Sequence, residues 1–372
     1  MHFGLTEEQL ALVDTVRTVV ARRSSSTDLR DAYSSNPGYD ETLWAILCDQ
    51  VGVCGLAVPE AEGGVGYSSF ETHIVLEELG RSLTPTPLLG SAVLCITALL
   101  YAANETARAR LLPSLSDGST QGALCWADDH GRWQIDRSGV DARFADGQWR
   151  LNGIATLVIG GIEADLLLTV ANTEEGPALF AVSPDGLGVV RRPNHGVDPT
   201  LRFATVDFED ACGDLLGTFD GSLPDLYAAA ATAVTALQVG GAQAALDRTV
   251  AYLKDRTQFE RPLASFQSLK HRCADMLVAV ETARSISWAA AWAAAERTPD
   301  LRWHAAIASS WCSEAFSHVA AEMVQLHGGI AITWEHDAHL FFKRAHATAQ
   351  LLGSPREHRK YLATGTFPRA EG

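Results

Sequence analysis

Two stretches toward the C-terminus carry side chains suited to a phosphorylated ligand. The first runs Arg256-Thr257-Gln258-Phe259-Glu260-Arg261-Pro262 and on to Gln267; the second is Gln325-Leu326-His327-Gly328-Gly329. A planar, permanently charged guanidinium such as Arg256 suits a pyrophosphate. Gly328 and Gly329 let the backbone approach a ligand closely, and their N–H groups can serve phosphate oxygens. The amides of Gln267 and Gln325 satisfy donors and acceptors on a nucleotide, and Phe259 offers an apolar wall. Taken singly, each has a plainer reading: Arg256 as a cation at a helix C-terminus, Gly328-Gly329 as a helix stop.

The elements that must position these groups follow from the pattern of the chain. Thr6 with Gln9 reads as a capping box opening a helix, and Leu10, Val13, Val16 and Val20 keep helical spacing. A polar loop is expected over residues 24–38. Helices follow over 43–51, closed by Gly52, over 69–79, capped by Ser69 and stopped by Gly80, and over 90–115 after a break at Pro85 and Pro87. Between them, 58–66 is a glycine-rich loop. From 122 to 218 the texture changes to short β-rich segments: Trp133-Gln134-Ile135, Trp149-Arg150-Leu151, and residues 166–170, 178–182 and 201–208, with Asp146-Gly147 as a hairpin turn. Long alanine-rich helices then run over 226–256, 265–296, 301–326 and 335–352. The expected architecture is α+β multidomain: an N-terminal helical domain (1–120), a middle β domain (121–220) and a C-terminal four-helix bundle (221–372).

Composition narrows the function. The 372 residues hold 29 Lys+Arg against 45 Asp+Glu, a formal charge of −16, with 47% hydrophobic and 20% charged residues. That acidity gives no general footing on nucleic acid or anionic lipid. No apolar run is long enough to span a bilayer, and the N-terminus lacks the pattern of a signal peptide. The seven cysteines are odd in number and irregularly spaced, so reduced thiols in the cytoplasm are expected. Zinc ribbons, zincins, Walker NTPases and elbow-type serine hydrolases lack their motifs here.

With these pieces in place the chain resembles the acyl-CoA dehydrogenases, flavoproteins that introduce an α,β double bond into acyl-CoA thioesters. The resemblance covers essentially the whole chain. Its most specific stretch runs from Arg256 through Phe259, Pro262, Phe266-Gln267, Lys270-His271 and Ala274-Asp275-Met276; Gln325 to His336 and Gly55-Leu56-Ala57-Val58-Pro59-Glu60 support it. The resemblance implies the three-domain order already read, FAD as cofactor, an acyl-CoA substrate, and an electron-transfer flavoprotein or similar acceptor. It also implies that Arg256, Phe259, Gln267, Gln325, Gly328 and Gly329 act mainly on the flavin of a neighbouring subunit.

The chain departs from the family where the chemistry is done. The family needs a carboxylate to take the α-proton. Its usual place, after the last long helix, falls on Leu352, and its alternative place, on the first bundle helix, falls on Ala230. The nearest acid to the latter, Asp225, lies more than a helical turn away. Asp128 is an equally poor candidate, so the catalytic base is unassigned. The middle-domain run that contacts flavin is here Cys125-Trp126-Ala127-Asp128-Asp129-His130. The residues expected beside the ring, after Asn152-Gly153, are Leu157-Val158-Ile159, and Ser354 and Arg356 stand where the family holds the nucleotide.

The half-site for the chain's own flavin thus reads as degraded and the half-site lent to a neighbour as intact. The leading expectation is a non-catalytic subunit paired with a related, base-carrying chain, as in α2β2 bacterial members of which several act on sterol side chains. A self-sufficient homotetramer with an unidentified base and a redox-inactive scaffold binding acyl-CoA or a partner are the alternatives. Glu335, His336 and His339 read as a solvated group and not a metal site. Lys343, Arg344, Arg356, His358, Arg359 and Lys360 read as a solvated basic face, and Trp288, Trp292, Trp303 and Trp311 as bundle and interface packing.

Overall fold

The computed structural model describes residues 4–365. Met1 to Phe3, read above for a leader, and 366–372, the end of the expected bundle unit, lie outside them. Helix α1 (Glu7–Ala21) opens with the Thr6/Gln9 capping box. The expected polar loop contains a helix, α2 (Ser26–Ser34), opened by a Ser25/Asp28 capping box. Its polarity concealed it, because Leu29 and Ala32 are the residues it buries. Next come α3 (Glu41–Ile46), continued by a wide π-helical turn (Leu47–Val51) that ends at Gly52 with φ 72°, and α4 (Ser69–Ser82), capped by Ser68 one residue earlier than expected. A second wide turn (Leu89–Cys95) leads into α5 (Ile96–Ala102), and α6 (Glu105–Ser116) completes the N-terminal helices.

Gly80 does not stop α4. It lies inside the helix because a Cβ there would come within 2.5 Å of the Leu237 carbonyl oxygen, and one at Gly240 within 1.9 Å of the Glu77 oxygen. The two glycines let the backbones of α4 and the first bundle helix touch, and such close approach is open to glycine alone. The helix ends at Leu83, buried in left-handed conformation at φ 55°.

Strands β1 (Gly122–Cys125), β2 (Val140–Ala145), β3 (Gln148–Ile159), β4 (Leu166–Thr173), β5 (Gly176–Val182), β6 (Val189–Asn194) and β7 (Phe203–Thr218) form one sheet ordered β1-β4-β2-β3-β7-β5. β6 pairs with β7, and an added pairing of β4 with β5 closes the path on itself. Asp146 and Gly147, both at positive φ (52° and 78°), make the expected β2–β3 turn. Trp133-Gln134-Ile135 is not a strand. It belongs to a loop whose apolar side chains pack on the core between the helices and the sheet.

The C-terminal part contains α7 (Leu223–Asp255), a two-residue hairpin of β8 (Thr257–Gln258) and β9 (Arg261–Pro262), α8 (Gln267–Ala295), α9 (Leu301–His327), α10 (Ala338–Thr348) and α11 (Pro355–Thr364). The fourth bundle helix, expected over 335–352, is thus the shorter α10, with α11 beyond it. Fold class is as expected: helical, then β, then a helical bundle. The three parts meet in one buried cluster that includes Leu56, Leu79, Trp126, Leu168, Tyr227, Ala230 and Leu352.

Arg344 is a correction. Read as part of a solvated face, it is fully buried, and its Nε lies 2.5 Å from Asp198 Oδ2. Its guanidinium also donates to Thr200 and to the Leu83 carbonyl, so one side chain ties α10 to the β6–β7 turn and to the end of α4. His358 of the same run is buried too. Arg356, Arg359 and Lys360 are exposed.

Candidate functional site

The six predicted ligand-binding residues are all exposed on this chain. They come from two segments, and one contact brings those segments to the same end of the bundle. Tyr252, in the last turn of α7, stacks on His327 at the end of α9 with ring centroids 4.3 Å apart, and its hydroxyl donates to the His327 carbonyl at 3.3 Å. Arg256 follows one helical turn after Tyr252, and Gly328 follows His327 directly. The plainer reading of Arg256 as a helix-end cation holds geometrically, since it caps α7.

The hairpin after Arg256 holds Phe259 (φ 53°) and Glu260 (φ 62°) at its tip, both left-handed and neither glycine. That backbone is disfavoured for residues with a Cβ, by about 1 kcal/mol or more each. Phe259 is 85% exposed. Its ring meets Phe266 edge-on at 6.1 Å, and Arg261 lies 3.9 Å over the Phe266 ring. The hairpin is therefore braced from behind while its apolar tip faces outward. Gln267 opens α8, and Gln325 lies in the last turn of α9.

Gly328 (φ 66°, ψ −146°) adopts a conformation reserved for glycine. Gly329 has no such constraint, and a Cβ there would meet nothing within 4 Å. Nothing within this chain requires glycine at 329.

Asp337 anchors the far end of this loop, and sequence reading missed it. Its carboxylate accepts from Ser26 at 2.6 Å, Arg30 at 2.9 Å and Arg248 at 2.9 Å. Burial would raise this carboxyl, but the hydrogen bonds and the two guanidinium groups prevail and hold it below the usual range. Partners from α2 and α7 leave no local sequence signal. His336 accepts from the Ala338 N–H, and Glu335 is exposed. Among the described residues no group of three His, Cys, Asp or Glu is placed to hold a metal ion.

The second region surrounds Leu352 and Ala230, the two positions where the family resemblance places a base. Leu352 and Ala230 are both buried there, at 2% and 1% exposure. The Tyr227 hydroxyl donates to the Leu352 carbonyl at 2.5 Å, and His358 Nε2 lies 2.9 Å from the same oxygen. Burial pushes the Tyr227 phenol well up and the His358 imidazole down, so both stay neutral. Trp126 meets Tyr227 edge-on at 6.1 Å and donates its indole N–H to the Gln134 carbonyl at 3.0 Å.

The loop between β1 and β2 lies against Leu157: a Cβ at Gly131 would come within 3.2 Å of it. Asp128 pins this loop. It accepts from the N–H groups of His130 and Arg132 and from the side chains of Arg132 and Gln134, at 2.9–3.0 Å. Burial would raise its pKa, yet these bonds hold it below the usual carboxylate range, and both of its oxygens are engaged within the loop. Asp225 is engaged by Arg302 at 2.6 Å. Ser354 is consumed in the capping box of α11 with Glu357.

Residues 6–119 match the model of the acyl-CoA dehydrogenase N-terminal domain and 228–365 that of the C-terminal domain. The chain is 40% identical over 355 residues to acyl-CoA dehydrogenase IpdE2 of Mycobacterium tuberculosis H37Rv, covering 94% of this chain and 95% of that one. The chain belongs to the acyl-CoA dehydrogenase family. Two solved structures align along its length. One is the Tcur3481-Tcur3483 steroid ACAD G363A variant (30% identity, TM-score 0.88, 96% and 97% covered). The other is the ChsE4-ChsE5 complex from Mycobacterium tuberculosis (28% identity, TM-score 0.90, 99% and 100% covered).

FAD is the cofactor of this family member. The two regions fit it unequally. The exposed cation, amides and open glycines suit the nucleotide and pyrophosphate. The buried cluster at Leu352, Ala230 and Trp126 presents apolar side chains where a ring and a base would have to be accommodated.

Proposed function

We propose that this chain is the non-catalytic subunit of a heteromeric acyl-CoA dehydrogenase, an α2β2 assembly in which it completes the FAD site of a related, base-carrying subunit. The observation that carries the reading is the burial of Leu352 and Ala230 together with the exposure of Arg256, Phe259, Gln267, Gln325, Gly328 and Gly329. A leucine and an alanine cannot accept a proton, whereas the exposed residues sit on segments braced by the Tyr252–His327 stack and by Phe266.

In this arrangement Arg256 would neutralise a phosphate of the partner's FAD, Gln267 and Gln325 would hydrogen-bond its polar edges, and the N–H groups after Gly328 would serve phosphate oxygens. Phe259 closes an apolar side against water. FAD bound there would supply a hydride acceptor for the thioester's β-carbon, and the α-proton would go to a carboxylate of the partner, since this chain offers only Leu352 and Ala230 at the expected places. The overall reaction is α,β-desaturation of an acyl-CoA. The likeness to the ChsE4-ChsE5 complex and to the Tcur3481-Tcur3483 steroid ACAD supports a heteromeric partner and a steroid-derived acyl-CoA. Electrons pass on to an electron-transfer flavoprotein or similar acceptor. A cytoplasmic location fits seven free cysteines and the absence, among the described residues, of a helix long and apolar enough to cross a membrane.

Expression of the chain alone and together with related acyl-CoA dehydrogenase chains encoded beside it tests this. A colourless, inactive chain alone and a yellow, active complex with one such partner are expected. A yellow, active homo-oligomer would replace it with the self-sufficient reading, and a partner complex that holds no flavin would replace it with the scaffold.

A further inference from the structure

Cys48 and Cys54 stand on either side of a tight reversal that ends the wide turn after α3. The Gly52 N–H donates to the Cys48 carbonyl at 3.1 Å and the Val53 N–H to the Leu47 carbonyl at 3.2 Å, and left-handed Gly52 folds the chain back. The two sulfurs lie 3.5 Å apart, and both thiols are free. Cys54 is 3% exposed whereas Cys48 is half-buried, so an oxidant reaches Cys48 first. The turn after α6 lies over them: a Cβ at Gly118 would come within 2.6 Å of the Cys48 sulfur.

We propose that Cys48 and Cys54 are a modification site, a dithiol that hydroperoxides convert to an intramolecular disulfide. The Cys48 sulfur attacks one peroxide oxygen; an S–O bond forms, the O–O bond breaks, and the other oxygen leaves as alcohol or water. The Cys54 sulfur then attacks the Cys48 sulfenic acid; the S–S bond forms, the S–O bond breaks, and water leaves with the thiol proton. Two thiols lose two electrons, and the hydroperoxide is reduced by two.

The order of events follows from the surroundings. The hydrogen bond with Cys48, and then burial, keep the Cys54 thiol protonated, which leaves it the resolving partner. Closing the sulfurs to bonding distance needs a movement of about 1.5 Å. Cys212, exposed and without a second sulfur beside it, lacks a resolving thiol: its sulfur contacts Gln148 at 3.3 Å and Arg150 at 3.2 Å. Oxidation there stops at the sulfenic acid or goes on to irreversible forms.

The test uses the native full chain, treated with stoichiometric hydrogen peroxide, alkylated and digested at aspartate. Asp49 lies between the two cysteines, so cleavage there separates them unless a disulfide joins them. The expected result is a joined peptide pair, loss of two of the seven thiols and their return with dithiothreitol. Cys48→Ser and Cys54→Ser, each checked for native near-ultraviolet dichroism, should abolish the joined pair. Should Cys48 and Cys54 both remain alkylatable at peroxide levels that consume Cys212, the proposal is overturned.

Discussion

The hydroxyl of Tyr227 donates a 2.5 Å hydrogen bond to the carbonyl of Leu352, joining the first bundle helix to the turn before α11. Both residues lie in the buried cluster at the junction of the three parts. Leu352 stands where the resemblance to the family places an acid, and the polar groups beside it, Tyr227 and His358, are spent on its backbone carbonyl.

Restoring an acid there should therefore fail. Leu352→Glu places a carboxylate where the surroundings are apolar and the nearby polar groups already serve the backbone. An uncompensated buried charge costs about 3–5 kcal/mol. Chemical denaturation should show a loss of that order, and the chain alone should remain without dehydrogenase activity.

Arg256→Ala should separate stability from function. Arg256 is exposed, so the midpoint of the isolated chain should move little, within about 0.5 kcal/mol. Charge-assisted hydrogen bonds contribute about 1.5–3 kcal/mol, so FAD binding by the assembled complex should weaken roughly ten- to hundredfold, as read by flavin fluorescence titration.

Breaking the ion pair of Arg344 and Asp198 should be costly. Both side chains are fully buried, at 1% and 0% exposure. Asp198→Asn leaves a buried guanidinium without its counter-charge, and a loss of about 3–5 kcal/mol is expected in urea unfolding. Arg344→Met, which removes the charge and leaves an apolar side chain, should cost the helix its ties to Thr200 and Leu83 but leave Asp198 uncompensated, so it should also destabilise.

Acid should weaken the fold partly through His73. Its ring is buried, Nε2 lies 2.9 Å from Ser287 Oγ, and burial pushes its pKa down to about 3. The unfolded chain then binds a proton that the folded chain refuses between the ordinary histidine range near 6.5 and about 3. Stability is full above that window and falls as pH drops through it, by about 1.4 kcal/mol per pH unit for this one group. His327, His336, His339 and His358 are shifted down as well, so His73→Gln should remove one proton's share of the slope and leave the rest.

What could be read in advance was local or periodic. The capping box at Thr6, the Asp146-Gly147 turn and the long helices depend on neighbours a few residues apart, so their signals survive in one dimension. Gly80 looks like a helix stop in sequence because the reason for it, the Leu237 backbone, lies on another helix. Asp337 and Arg344 were unreadable as hubs because their partners come from distant elements: Ser26, Arg30 and Arg248 for one, Asp198 and Thr200 for the other. The run from Arg256 to Gln267 is legible as a motif, whereas the convergence of Trp126, Tyr227 and His358 around Leu352 joins three parts of the chain and leaves no local signal.

The most direct measurement is the flavin content of the purified complex with its base-carrying partner, from flavin absorbance against total protein. One FAD for each pair of unlike chains is expected, and none on this chain by itself. One FAD for every chain, this one included, would contradict the proposed function.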